Sequence, residues 1–165
     1  MSLSTARCLI LACGNTLRGD DGIGPWLAQW AEERFSGQSD VRVISRQQWT
    51  PELAEDIAGA ESVLFVDCSV ESAAGTVTTI HVEPANPDEG LATHHIGAPK
   101  LLELAHELYD SLPRNSLLLT VGAGSIELGE EFSAEVTAAQ PEACSQIEEI
   151  VLGLLKKPRR VTATL

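Results

Sequence analysis

Basic residues and aromatics are scarce in this chain. Of its 165 residues, 11 are Lys or Arg against 24 Asp or Glu, which leaves a formal net charge of −13. A nucleic-acid binder needs a basic footprint, so that class is excluded. Four of the eleven basic residues crowd into the tail Lys156-Lys157-Pro158-Arg159-Arg160, which reads as a solvated helix end, so the rest is more acidic still. Long apolar runs are missing too. The run near the N-terminus, CLILAC (Cys8 to Cys13), is too short for a secretory signal and far too short to span a bilayer. The chain is therefore expected in the cytoplasm. Its four cysteines, Cys8, Cys13, Cys68 and Cys144, form no C-x-x-C pair. They read as free thiols, mostly buried, in a reducing compartment. Familiar catalytic signatures are absent as well: there is no G-x-S-x-G, no H-E-x-x-H and no G-x-G-x-x-G.

What is there is an alternation of strand-like and helix-like segments. Strands are expected over Arg7–Cys13, Val41–Ser45, Ser62–Cys68, Thr76–Pro84 and Asn115–Gly124. Helices are expected over Gly22–Phe35, Thr50–Gly59, Pro99–Tyr109 and Ser133–Lys157. Thr50 reads as the cap of the second helix and Pro51 as its first residue. Leu101, Leu104, Ala105 and Leu108 read as the inward stripe of the third, and Pro141 marks where the fourth would break. Apolar strands alternating with helices imply one α/β domain over residues 1–165. It is expected to have three layers, with a twisted, mostly parallel sheet of about five strands between helices. The alternating strand Thr76–Pro84 would lie antiparallel at one edge.

Ligands bind such sheets at the carboxyl ends of the strands. The first strand runs there into GNTLRGDDGIG, residues 14 to 24. A glycine-rich strand-to-helix turn usually cradles phosphate. Here the P-loop's Lys-Ser/Thr pair is replaced by Asp20-Asp21, which repels an anion and suits a cation. One acid at a helix start is explained by capping; a second is not. Asp67 follows the buried run LFV, and a polar loop carries His94 and His95. If the first and third strands are neighbours, Asp20 or Asp21 and Asp67 approach one crevice that a loop histidine can close. Two carboxylates and an imidazole make an open site of the kind that takes Ni²⁺, Zn²⁺ or another first-row ion. His81 and His106 read as surface residues.

Four segments in this order, GNTLRGDDGIG, QQWTPELAEDIA, LFVDCS and THHIGAPKLL, resemble the hydrogenase maturation proteases. The later stretch GAGSIELGEEFSAEV is similar to that family's C-terminal region. The resemblance implies a metal-contacting, catalytic set of Asp21, Asp67 and His94, with Asp20 as a supporting group or a helix cap. His94 is chosen over His95 because Thr93-His94 stands in the family's register with Leu101-Leu102. It implies an endopeptidase that removes the C-terminal extension of a nickel–iron hydrogenase large-subunit precursor after nickel insertion. The nickel would be supplied by that substrate. A non-catalytic nickel-binding accessory protein of hydrogenase assembly is the alternative. A nucleotide or sugar-phosphate enzyme is disfavoured by the acids in the turn.

Overall fold

The computed structural model of the chain describes residues 6–88 and 96–159. Five strands form one sheet: β1 (Cys8–Cys13), β2 (Val41–Arg46), β3 (Ser62–Ser69), β4 (Val77–His81) and β5 (Asn115–Gly122). Their spatial order is β2-β1-β3-β5-β4. All neighbours are parallel except β4, which lies antiparallel at the edge against β5. The helices are α1 (Ile23–Arg34), α2 (Leu53–Ala58), α3 (Ala98–Tyr109) and α4 (Ala134–Lys156).

The layers follow from side-chain alternation along the central strands. Ile10, Ala12, Leu64 and Val66 point to one face, where Leu27 and Ala31 of α1 and Val136 and Ile147 of α4 cover them. Leu9, Leu11, Val63 and Phe65 point to the other, where Leu53 and Ile57 of α2 and Leu101 and Ala105 of α3 cover them. Burying each Leu, Ile or Phe contributes about 1.5–3 kcal/mol. β1 is buried along its whole length and so is β3 as far as Val66, which is why both read as continuous apolar runs. Trp49, from the QQWTPEL stretch, serves this core. It packs edge-to-face on Phe65 with ring centroids 5.3 Å apart.

β2 lies to one side of β1 and β3 to the other. The chain therefore leaves β1 and β3 in opposite directions, and their carboxyl ends border a crevice. Among the described residues no helix is long and apolar enough to cross a membrane.

Three local expectations need correction. The second helix begins at Leu53, not Pro51: bonds from Leu53 N–H to Thr50 O and from Ala54 N–H to Pro51 O make a tighter turn ahead of it. On α3, Leu108 is exposed and Leu102 takes an inward place beside Leu101 and Ala105. The fourth helix runs unbroken through Pro141. Pro141 sits on the exposed side, while Ala139 and Ala143 on either side are buried against the sheet. Tertiary packing thus holds a turn that lacks one N–H donor. Proline in a helix interior costs about 3 kcal/mol, offset in part by the stiffer unfolded chain. Pro141→Ala should therefore stabilise the protein by ~1–2 kcal/mol, read as a higher midpoint in urea unfolding. An unchanged or lower midpoint would show that the proline is accommodated without cost.

Candidate functional site

β1 ends at Cys13, and Gly14 turns the chain back on itself. Gly14 has φ 155°, and a Cβ there would stand 2.0 Å from the carbonyl oxygen of Asp21. Only glycine permits that approach. The fold-back lets Asn15 N–H donate to Asp21 Oδ2 at 2.7 Å, while Asn15 Oδ1 accepts from Leu17 N–H at 2.9 Å. The N–H that would greet a phosphate here is already taken by a carboxylate. A short 3₁₀ turn, Gly19–Gly22, then delivers the chain into α1. No side chain caps α1, so the capping explanation fails for both acids.

The two acids have separate tasks. Asp20 is fully buried. Its Oδ2 accepts from Gly124 N–H at 2.7 Å and from Ser125 N–H at 3.0 Å; its Oδ1 accepts from Ser133 N–H at 2.7 Å. Backbone bonds run alongside: Gly19 N–H to Gly129 O at 2.7 Å, Asp20 N–H to Ser125 O at 2.9 Å, and Gly129 N–H to Leu17 O at 2.9 Å. Gly19, at φ 54°, allows the contact, since a Cβ there would lie 2.8 Å from Ser125 O. Ser133 in turn caps α4 by accepting from Val136 N–H at 3.3 Å. Burial pushes the Asp20 carboxyl up. The hydrogen bonds from Ser133, Ser125 and Gly124 outweigh it and hold the group below its ordinary value. Asp20 is thus a structural lock between the opening turn and the loop after β5.

Asp21 is half-buried and stands at the crevice. Asp67, also half-buried, lies on β3 one step beyond the paired residues Ala12 and Val66, which sets it beside Cys13. Its Oδ1 accepts from Cys68 N–H at 2.7 Å, and the Cys13 thiol donates a hydrogen bond to its carboxylate. Burial first, and then the negative charges of Asp67 and Asp21, push the Cys13 thiol far up. Burial, Asp21, Asp67 and Asp20 together push Cys68 up to about 12. Both carboxylates act on both thiols, so they share one place. Both effects favour the protonated, poorly nucleophilic form of each thiol.

Strand neighbours β1 and β3 therefore bring Asp21 and Asp67 to one crevice beside Cys13 and Cys68. His94 and His95 lie outside the described residues. Among the described residues no group of three or more His, Cys, Asp or Glu is placed to hold a metal ion. His81 and His106 are exposed. Cys13 is the neighbour that sequence reasoning missed. Its signal was its place directly before the glycine of the acid turn.

Asp20 yields a test of the lock. Its lowered folded value means that its contribution is present in full above about pH 4 and is lost as pH falls through the folded value. Asp20→Asn keeps the shape but turns an amide N–H toward backbone donors. It should cost on the order of 3 kcal/mol at neutral pH and flatten the acid limb of the stability profile. Urea unfolding at several pH values checks both; an acid limb identical to the wild type would overturn the assignment.

No family model matches the chain, and no curated protein does. Solved structures do. The hydrogenase maturating endopeptidase HybD from E. coli superposes with a TM-score of 0.71 at 21% identity, over 89% of this chain and 93% of that one; this shows a shared fold. The NiFe-hydrogenase maturation protease HybD from Thermococcus kodakarensis gives a TM-score of 0.67 at 27% identity, over 87% and 98%. A hydrogenase 2 maturation peptidase from a Thaumarchaeota archaeon gives a TM-score of 0.65 at 30% identity, over 90% and 99%. Nearly all of that archaeal peptidase is matched at an identity that shared layering alone does not produce, and the chain belongs with it to the hydrogenase maturation peptidase family.

Proposed function

We propose that this protein is the endopeptidase that removes the C-terminal extension of a nickel–iron hydrogenase large-subunit precursor once nickel has been inserted. The observation that carries the reading is the placing of Asp21, on the turn after β1, and Asp67, near the end of β3, at one crevice in a chain of this family. Asp21, Asp67 and His94 form the proposed recognition and catalytic set. Carboxylate and imidazole donors suit a first-row divalent ion.

Nickel enters this scheme with the substrate, and when bound it supplies Lewis-acid polarisation of a carbonyl or of water. The chain's own residues do the rest. Asp20 holds the turn that presents Asp21. Cys13 and the Cys68 N–H fix the Asp67 carboxylate. With both thiols protonated and no serine-protease signature in the sequence, cleavage without a covalent enzyme intermediate is the consistent chemistry. Three donors hold a first-row ion less tightly than a four-ligand structural cage, so the purified peptidase should carry no stoichiometric metal of its own.

The test mixes purified protein with nickel-loaded and nickel-free precursor and follows the C-terminal mass by mass spectrometry. Cleavage of the loaded precursor alone is expected. Asp67→Asn and His94→Ala should fold normally and lose activity by roughly a hundredfold or more, and His95→Ala should keep most of it. Equal cleavage of both precursors, or a tightly held zinc needed for activity, would overturn nickel recognition. Nickel binding without any cleavage would make the protein an accessory factor instead.

A further inference from the structure

Beside the acid turn lies an open pocket of about 250 Å³ that the proposed chemistry does not use. Gly22, Pro25, Trp26 and Gln29 form one wall, and Glu130 and Phe132, from the loop that Asp20 locks, form the other. Its volume falls below the roughly 300–1,000 Å³ of a small-molecule site and suits one long side chain. Trp26 and Phe132 are half-buried and packed on the core, so their rings are held in place. Glu130 is exposed and supplies a carboxylate at the edge of these apolar walls.

The surrounding charge is mostly negative. Between Gly14 and Gln29 the one basic residue is Arg18, against Asp20 and Asp21. Between Gly122 and Ser133 there is no basic residue, against Glu127, Glu130 and Glu131. An anionic group is repelled here, and a neutral apolar one gains nothing from Glu130. An apolar stem with a positive head gains from both, through the aromatic faces and the carboxylate. The same loops expose Leu17 at 55% and Leu128 at 83%, which extends the surface for the polypeptide carrying that side chain.

We propose that this pocket binds an arginine or lysine side chain of the polypeptide that docks on the acid turn. Gly22 follows Asp21 directly, so the occupant anchors its chain alongside the proposed cleavage site. The link to cleavage rests on the peptidase reading; the pocket's preference for a cation does not.

Two measurements separate these. In the first, the isotope-labelled full chain is titrated with N-acetyl-arginine amide and with its neutral isostere, N-acetyl-citrulline amide, by NMR. Saturable shifts of the Trp26 indole N–H and the Gln29 side-chain amide are expected with arginine, and binding about tenfold weaker with citrulline. Glu130→Gln should weaken arginine binding roughly fivefold, and added salt should do the same. Glu149→Gln, which removes a distant exposed charge on α4, should change nothing. Equal binding of the two amides, no shift at these groups, or an arginine affinity untouched by Glu130→Gln overturns the pocket. In the second, Glu130→Lys should raise KM for the nickel-loaded precursor by roughly tenfold and leave kcat near the wild-type value. An unmoved KM overturns the anchoring role. A wild type that cuts no precursor overturns the peptidase reading, and the first measurement still decides the pocket.

Discussion

Everything at the carboxyl edge of this sheet depends on one buried carboxylate. Asp20 has no neighbour in sequence among the donors to its carboxylate: the N–H groups it accepts from belong to Gly124, Ser125 and Ser133, more than a hundred residues away. A buried carboxylate is expensive unless its lone pairs are filled, and three N–H donors fill them. The same contact satisfies loop donors that would otherwise need water. It also fixes the start of α4 through Ser133, whose hydroxyl accepts from Val136 N–H. The opening turn and the loop after β5 therefore have one relative arrangement, and Asp21 inherits it.

Charge and burial then divide the neighbouring groups by role. Burial raises the affinity of the Cys13 and Cys68 thiols for protons, and the carboxylates of Asp21, on the turn after β1, and Asp67, on β3, add to it. Cys13 and Cys68 consequently behave as neutral donors or packing groups, although cysteines beside an open carboxyl edge invite a nucleophilic reading. Their faces differ as well. Cys13 packs with Leu9 and Leu11 on the α2/α3 side, whereas Cys68 packs with the α1/α4 side. A sheet alternates its side chains, so consecutive residues at one strand end serve opposite layers. Asp67 is held from both directions, by the Cys13 thiol and by the N–H of Cys68.

Much of the architecture was legible in the chain because burial on both faces leaves a plain trace. CLILAC and VLFV are apolar at successive positions, and such strands belong in the middle of a parallel sheet. The alternating stretch Thr76–Pro84 was expected at an edge, and β4, the shorter Val77–His81, is there. The errors arose where a local rule met tertiary packing. Pro141 breaks an isolated helix, yet Ala139 and Ala143 are anchored on the sheet and carry the helix past it. Leu108 continues the stripe of α3 on paper but stands near the helix end, beyond the reach of the opposing layer.

The acids followed the same division. By itself the sequence determined that GNTLRGDDGIG opens from a buried strand, carries two carboxylates in place of a phosphate-binding lysine, and precedes a helix. Composition and spacing are local properties, and they suffice for that. Composition and spacing could not tell Asp20 from Asp21, which the family resemblance alone separated, because the two differ only in what they meet. The 3₁₀ turn points Asp20 into the protein toward the loop after β5 and leaves Asp21 against Asn15 at the crevice. That choice belongs to the tertiary structure, since the donors that make Asp20 a lock come from the far end of the chain and exist in place only once β5 has paired with β3.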